Sequence, residues 1–411
     1  MVAIVAGIFA CSDPGGGVGN PGTTGSADET AAATTEAAED TSGTSGDSGS
    51  SEHEGSEDSG PSGALARGID ITSVEANQGV GVAVVDGTAW VGPDDRNARI
   101  LRDRSMLIRV QHQVEDGWEP RTIEAVLELD DGTAVTERRV SLMVDGDSHP
   151  DDLEGHFNFR LESDEVPAGL RFRVRLEEAP GTPGVTENPD VLAPAQLEPL
   201  GVEDVSSRMD IVLYPVEVEG CDAVPRVDSE TIEPTLSRLF GLFPIQGLGV
   251  DIRDPLVVTQ GIDSCVSPEL VDALTTARAA DDAGPDQVYV AVYDRSCLAK
   301  PLGCYCSTYG IGSRALQIEM IDDDPDSLAT WIDNCTALAL GRRNVSCTGG
   351  EGGPDPAYPY PNGEIGGYGY SVETQELHPP STKTFLSLCE DPTWVSDYGW
   401  NLAYDALRGQ L

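Results

Sequence analysis

Nine cysteines and five histidines are the residues of this 411-residue chain best equipped for chemistry. Cys11 stands alone near the start; Cys221, Cys265, Cys297, Cys304, Cys306, Cys335, Cys347 and Cys389 all lie beyond residue 220. Thiols gathered in one region either ligate zinc as thiolates or close into disulfides. Zinc knuckles use paired Cys-x-x-Cys spacing, and the one close pair, Cys304 and Cys306, does not have it. An even set in an exported chain reads as a disulfide framework. The histidines do not cluster: His378 is the only one beyond residue 156, and His53 sits alone among small polar residues. There is no G-x-S-x-G nucleophile elbow, so a serine hydrolase has no support. Oxygen-rich runs occur at Asp145-Gly146-Asp147 with Asp151-Asp152, and at Asp322-Asp323-Asp324-Pro325-Asp326. Calcium is the ion such oxygens suit, but neither run has an EF-hand pattern. The first reads as a solvated loop, and the second complements the dipole of a helix that begins there.

The overall charge narrows the partners. There are 71 acidic against 25 basic residues, a formal net charge of −46. Only Lys300 and Lys383 are lysines. Such a field repels nucleic acid and anionic lipid head groups, and it favours solubility and cation binding.

At the start, Val2 to Ala10 form a short apolar run that ends at Cys11. The tetrapeptide Ile8-Phe9-Ala10-Cys11 resembles a bacterial lipobox, with a small residue before the cysteine that takes the lipid, although Phe9 is unusual there. No Lys or Arg precedes the run, as it would in an ordinary signal peptide. The run is too short to span a bilayer, which takes about 20 apolar residues. Residues 1–11 therefore read as a lipoprotein-type signal segment with Cys11 as the lipidation site. From Ser12 to Gly63 the chain is almost entirely Ser, Gly, Thr, Ala, Asp and Glu, with no Lys or Arg. It has too little apolar surface to offset chain entropy and is expected to be a disordered tether. Its mean reach as a flexible coil is roughly 40 Å.

Beyond the tether the chain carries two kinds of pattern. Over 64–207 the signals are for strands: Met106, Ile108 and Val110 form one face of an alternating run, and 123–129 and 135–144 flank the turn Asp130-Asp131-Gly132. Residues 157–161 and 170–176 alternate similarly, and no long helical period occurs. A β-sandwich is expected here. Over 208–411 the pattern is mixed. Ile211 to Val216 and Gln287 to Tyr293 read as strands. Asp228 or Ser229 caps a helix that runs to about Phe240. Ser267-Pro268-Glu269 opens a second. Asp326-Ser327 opens a third, ending at Gly341. Beyond Thr348 the Gly, Pro and Tyr content predicts irregular chain, closed by an amphipathic stretch around Trp400 to Leu407.

From the end of that third helix onward, the order of short motifs resembles a family. Ala339-Leu340-Gly341-Arg342-Arg343-Asn344-Val345-Ser346-Cys347 comes first, then Tyr358-Pro359-Tyr360-Pro361-Asn362-Gly363 and Ile365-Gly366-Gly367-Tyr368-Gly369-Tyr370. Phe385-Leu386-Ser387-Leu388-Cys389 and Trp394-Val395-Ser396-Asp397-Tyr398 complete the order. It resembles secreted bacterial zinc endopeptidases of the metzincin type, in which a helix carrying HExxHxxGxxH leads to a His-x-x-Cys segment, a Tyr-Pro loop and a Met-turn of the form Phe-Met-Ser-Tyr-Cys. The resemblance implies an all-β sandwich followed by an α+β metzincin-like (zincin) domain. With Gly341 as the motif glycine, the three histidine positions hold Asn334, Leu338 and Asn344. The general-base position holds Cys335, and the Met-turn methionine position holds Leu386. Two imidazoles at i and i+4 and a third after the glycine turn would make the zinc site, with the glutamate deprotonating its water. None of these groups is present here, so zinc is not expected. Cys335 is better used in a disulfide, with Cys297, Cys304 or Cys306. The resemblance also implies a Cys347–Cys389 pair.

The reading these features favour is a cell-surface lipoprotein with a catalytically degenerate peptidase-like domain, in a binding or structural role. Its partner would be an extracellular protein or glycan, with membrane contact only through the lipid. Two alternatives stand beside it. One is an active metallopeptidase with a rearranged site using His378 and acids such as Asp333. The other is an envelope adhesin module unrelated to zincins. For the tether, deletion of residues 12–63 is expected to leave the melting temperature of the remainder unchanged, and limited proteolysis is expected to cut within 12–63 first. A cooperative loss of stability on deletion would show that this segment belongs to the fold.

Overall fold

Alternation of apolar and polar residues builds the front of the molecule. The computed structural model describes residues 63–259, 267–297, 306–308, 314–320, 325–347, 355–387 and 393–409. Cys11 and residues 12–62 of the predicted tether lie outside these residues. The first strands are β1 (Ile69–Asn77), β2 (Gly81–Asp86), β3 (Ala89–Trp90), β4 (Ile100–Leu101), β5 (Met106–Val114) and β6 (Arg121–Asp130). Then come β7 (Val135–Val144), β8 (Phe157–Leu161), β9 (Arg171–Glu178), β10 (Leu192–Pro199) and β11 (Val202–Glu203). They form a five-stranded sheet of order β3-β2-β1-β5-β8, a four-stranded sheet of order β10-β9-β6-β7, and a small β4–β11 pair. The two large sheets are antiparallel throughout and bury Ile108, Val110, Ala125, Leu127, Phe157, Phe159, Phe172 and Val174 in one core.

The β6–β7 hairpin follows directly from its turn residues. Asp130 pairs with Val135, and Gly132 has a φ of +85°, a conformation that glycine adopts without strain. The Asp131 carboxylate accepts from the Thr133 hydroxyl at 2.6 Å and from the Thr133 and Ala134 N–H groups at 2.7 and 2.9 Å. These bonds, the hydroxyl's first, hold its pKa down to about 2. The outer face of the four-stranded sheet is covered by its own charges. The Arg175 guanidinium is buried and bonds to Glu128, Glu137 and Glu177, while Arg139 spans Glu124 and Glu177.

From Arg208 the architecture changes. β12 (Arg208–Val218), α1 (Ser229–Leu242), β13 (Gly247–Ile252), β14 (Leu256–Val258), α2 (Pro268–Ala280) and β15 (Gln287–Asp294) come first, followed by β16 (Cys306–Thr308), β17 (Ala315–Met320) and α3 (Pro325–Ala339). The sheet runs β13-β12-β15-β17-β16, and β14 pairs with the far end of β12. All of these pairings are parallel except that of β16, which lies antiparallel on the edge. Parallel strands covered on both faces read as unbroken apolar runs, which is how β12 and β15 appear in the sequence. Ile211, Leu213, Val288 and Val290 face the large core, whereas Val212, Tyr214, Tyr289 and Ala291 pack with Leu270 and Leu274 of α2. At α1 the first helical bond starts from Asp228, and at α2 the side-chain cap read from the sequence is present. Ile232 N–H reaches the Asp228 carbonyl at 3.1 Å, and Ser267 Oγ accepts from Leu270 N–H at 3.5 Å.

Where the sequence predicts irregular chain beyond Thr348, the structure has four short strands: β18 (Gly369–Ser371), β19 (Glu376–His378), β20 (Lys383–Thr384) and β21 (Thr393–Trp394). α4 (Asp397–Leu407) comes after them, capped by Ser396 Oγ. Each of these strands is two or three residues long, too short for an alternating pattern to show. The described residues are thus rich in β-structure, with four α-helices.

One buried arginine joins the sandwich to the parallel sheet's helices. Arg104 donates to the Gln78 carbonyl at 3.0 Å, to those of Phe243 and Ile245 at 3.0 and 2.6 Å, and to that of Phe240. Its guanidinium carbon lies 4.3 Å from the Phe240 ring centroid and 5.1 Å from that of Trp400. Burial lowers its pKa to about 10, so it stays charged at neutral pH. A cation at the last carbonyls of α1 also complements that helix's dipole. Arg104→Met should therefore cost about 3–5 kcal/mol of stability, because four carbonyls lose one shared donor. Arg104→Lys should recover only part of this, since an ammonium cannot span the same fan of acceptors. Denaturant midpoints of the three proteins test this, and equal midpoints for wild type and Arg104→Met would refute it.

Candidate functional site

The helix that carries the motif positions lies deep in the fold. Along α3, Ile332, Asp333, Asn334, Cys335, Thr336, Ala337 and Ala339 are buried, and Trp331 and Leu338 are partly exposed. It packs against α1 and against the turn at 385–387. It ends as its glycine predicts. Gly341 has a φ of +82°, its N–H bonds to the Leu338 carbonyl at 3.0 Å, and Arg342 N–H reaches back to the Ala337 carbonyl at 3.0 Å. These two crossed bonds make a Schellman termination.

The 385–387 turn is tied to both arms of this reversal. Asn334 Nδ2 donates to the Phe385 carbonyl at 3.4 Å, and Val345 N–H donates to the Leu386 carbonyl at 3.0 Å. Leu386 is buried, and Ser387 Oγ closes the turn on the Thr384 carbonyl at 2.6 Å. The structure thus brings Asn334 and Leu386 into one locality. Asn344 comes after the glycine turn, with its Oδ1 buried and unpartnered. Among the described residues, no three His, Cys, Asp or Glu side chains are grouped to hold a metal ion.

The Tyr-Pro loop is fastened beside the reversal by three tyrosines. Tyr358 OH donates to the Glu364 carbonyl at 2.6 Å, Tyr360 OH to Asp397 at 2.7 Å and Tyr398 OH to Asp355 at 2.9 Å. The Tyr358 ring meets Tyr360 and Tyr398 edge-on at 5.8 and 5.5 Å. Gly366, at φ +78°, abuts the Tyr360 ring so closely that a Cβ would lie 2.1 Å from it. Arg342 is buried beneath Tyr398, 5.0 Å from its ring centroid, and burial lowers its pKa.

Among the described residues, Cys221, Cys297, Cys335 and Cys347 are all in disulfides. Cys221 and Cys297 form a disulfide, which corrects one expectation: Cys297 is not available to Cys335. The two residues flank the same end of the parallel sheet, a proximity that a separation of 76 residues hides. Cys335 and Cys347 are each in a disulfide as well, not with one another. Cys304 and Cys389 lie outside the described residues, as does the side chain of Cys306. Cys347 Sγ lies 2.8 Å from the Ser387 carbonyl oxygen, two residues before Cys389.

Arg238 pairs with Asp333 and lies within electrostatic reach of His378. Arg238 of α1 forms an ion pair with Asp333 and donates to Thr393 Oγ1 at 2.9 Å. His378 stacks on Trp394, with ring centroids 4.1 Å apart, and Arg238 adds to the burial that depresses its pKa to about 4. Asp333 moves the other way, raised to about 7 by burial against the pull of Arg238. Nothing in the spacing of the sequence motifs singles out Arg238. The available signal is an arginine between Thr235 and Leu239, both on the buried face of α1.

The acidic loop near 150 is spent on local bonds. Asp147 accepts from Val114 N–H at 2.8 Å, Asp152 from Glu154 N–H at 2.9 Å, and Asp151 from Tyr368 OH at 2.7 Å. Asp322–Asp324 lie outside the described residues, and the side chain of Asp326 is not described. No helix among the described residues is long and apolar enough to cross a membrane. No protein-family model matches the chain, and no curated protein matches it.

The two shifted groups act on stability with opposite sign. His378 has a folded pKa of about 4 against an ordinary 6.5, so the unfolded chain takes up its proton first as pH falls. Stability that His378 contributes above pH 6.5 is lost between about 6.5 and 4. Asp333 is raised to about 7 from 3.8, so its contribution is full below 3.8 and lost as pH rises through 7. His378→Phe, which keeps the stack on Trp394, is expected to reduce the drop in denaturant midpoint between pH 7 and pH 4.5. An unchanged drop would show that the imidazole titrates normally in the fold.

Proposed function

We propose that this protein is a cell-surface lipoprotein whose C-terminal half is a degenerate metzincin-like peptidase domain, serving to bind an extracellular protein or glycan or to hold a structural position. The observation that carries the reading is the α3–Gly341–turn constellation. A buried helix ends in a left-handed glycine three residues before Asn344, and the 385–387 turn is hydrogen-bonded to Asn334 at one end and to Val345 at the other. That arrangement suits a helix, a third-ligand segment and a Met-turn around one point. The side chains at that point do not suit zinc. Leu338 has no donor atom, and amide oxygens such as those of Asn334 and Asn344 are weak ligands for it. Cys335 stands where the general base would be, and its sulfur is in a disulfide. Loss of the base alone removes a factor of roughly 10² to 10⁴ from hydrolysis.

The placement of Cys347 beside Ser387 supports a Cys347–Cys389 bond that ties the third-ligand segment to the turn. The rearranged-site alternative has less behind it, since the Asp333 carboxylate is already paired with Arg238.

Elemental analysis of the purified protein is expected to find well under one equivalent of zinc, with no chelator-sensitive proteolysis. About one equivalent with such activity would overturn the reading. The triple change Asn334→His, Leu338→His and Asn344→His, which leaves the Cys335 disulfide intact, should create tight zinc binding. Addition of Cys335→Glu supplies the base and should yield measurable peptide hydrolysis. A triple variant that folds but binds no zinc would show that the three positions do not converge.

A further inference from the structure

Residues 145–156 cross from β7 in one sheet of the sandwich to β8 in the other. β8 pairs with β5 only as far as Val110, and the crossover takes over the edge of β5 beyond that point. Ser148 N–H donates to the His112 carbonyl at 3.0 Å, Ser148 Oγ accepts from His112 N–H at 2.9 Å, and Asp147 accepts from Val114 N–H at 2.8 Å. Two buried imidazoles fasten the two ends of the crossover. His112 Nε2 donates to the Gly146 carbonyl at 3.1 Å, and His156 Nδ1 donates to the Asp152 carbonyl. A carbonyl only accepts, so these bonds fix the tautomer of each ring. The remaining nitrogens, His112 Nδ1 and His156 Nε2, are buried without a hydrogen-bond partner.

Both rings are thus built to be neutral. A second proton on either would bury an N–H with no acceptor, and a charge away from water. Burial first, and then the neighbouring Arg109, hold His156 down to about 4, and burial lowers His112 in the same direction. The two rings also repel each other once charged, whereas Asp147 beside His112 and Asp152 beside His156 favour the proton. Glu75 of β1, opposite Arg109 in register and within its electrostatic reach, works the other way. Burial raises its pKa, so the fold takes up that proton more readily than the unfolded chain does. On the crossover itself, His149 and Asp151 are exposed and 3.9 Å apart. Asp151 also accepts from the hydroxyl of Tyr368 at 2.7 Å, and the Tyr368 ring covers Arg109 with its centroid 4.8 Å from the guanidinium carbon.

We propose that the 145–156 crossover is an acid-released latch, with His112 and His156 as its two catches, and that its opening frees Tyr368 and the 366–371 segment from the front sheet. The sign follows from the rings. Each catch is closed while its imidazole is neutral, so the latch is fully held above about pH 6.5 and lets go as pH falls toward 4. Glu75 offsets part of this loss, one group against two. Release breaks the edge pairing with β5 and the Asp151–Tyr368 bond together, because both depend on the same stretch of chain. The latch is independent of the peptidase reading.

The test is amide hydrogen exchange of the full chain at pH 7 and pH 5, corrected for the pH dependence of the intrinsic rate. With His156 at about 4 folded and 6.5 released, opening of 145–156 should increase roughly twentyfold over that interval from this ring alone. Exchange in 366–371 should rise with it, and exchange in 123–129 of the sandwich core much less. His112→Gln with His156→Asn keeps an amide N–H where each ring donates but cannot titrate, and should abolish the acid response. His149→Gln, on the same crossover but exposed, should leave it unchanged. An equal acid response in the double variant and the wild type would overturn the proposal, as would one spread evenly over the whole fold or one confined to 145–156. Should the double variant fail to fold, proton resonances of the wild-type imidazoles decide the matter. His112 and His156 titrating below the ordinary range, in step with local exchange, supports the latch, and ordinary titration of both rings refutes it.

Discussion

The carbonyl cage around Arg104 is the constraint on which the rest of the molecule depends. α1 ends with carbonyls that no further turn of helix can satisfy, and the chain then bends sharply through Phe243 and Ile245 into β13. Arg104 satisfies them from the sandwich side. The same seam is stitched by Gln78, whose side chain accepts from Leu101 N–H at 2.7 Å and donates to the Leu101 and Arg104 carbonyls at 2.8 and 2.9 Å. Trp394 Nε1 donates to the Gly79 carbonyl at 2.6 Å, and a Cβ on Gly79 would lie 2.6 Å from Trp400. Sandwich, α1, β21 and α4 therefore meet at one loop between β1 and β2, and none can shift without breaking bonds of the others.

That seam bears on the proposed site. Trp394 touches Gly79 on one side and His378 on the other, and Arg238 connects Thr393 to Asp333 on α3. The motif helix is thus held from α1, from the C-terminal strands and from the 385–387 turn. A catalytic zinc centre must keep one coordination position open to water and substrate. Here Asn334 is used as a brace to the turn, and the residue beside it is locked in a disulfide. Both choices favour rigidity at this point of the fold.

The charge distribution has a simple logic. Acidic residues far outnumber basic ones, lysine is nearly absent, and several arginines are drawn inward, among them Arg104, Arg109, Arg175 and Arg342. Arginine keeps its charge under burial and offers five donors in a plane, so one residue can serve several carbonyls or carboxylates at once. In Arg104 and Arg175 that capacity is filled by the protein. In Arg109 and Arg342 it is filled in part by tyrosine faces, Tyr368 at 4.8 Å and Tyr398 at 5.0 Å from the guanidinium carbon.

Local signals in the sequence were sufficient for much of this. Alternation over 106–110, the Asp130-Asp131-Gly132 turn, the Ser267-Pro268 cap and Gly341 each act within a few residues, where backbone stereochemistry decides the outcome. They determine the β6–β7 hairpin, α2 and the end of α3, and they determine that Asn334, Cys335, Leu338 and Asn344 stand at their positions around that glycine. Tertiary structure alone decided the rest. The Cys221–Cys297 bond, the pairing of Arg238 with Asp333, the cage around Arg104 and the placing of Tyr368 over Arg109 all join residues remote in sequence. No local pattern distinguishes an arginine that will be saturated from one that a tyrosine face partners only in part. That difference arises only when sheets and loops close over it, because burial is a property of the assembled fold.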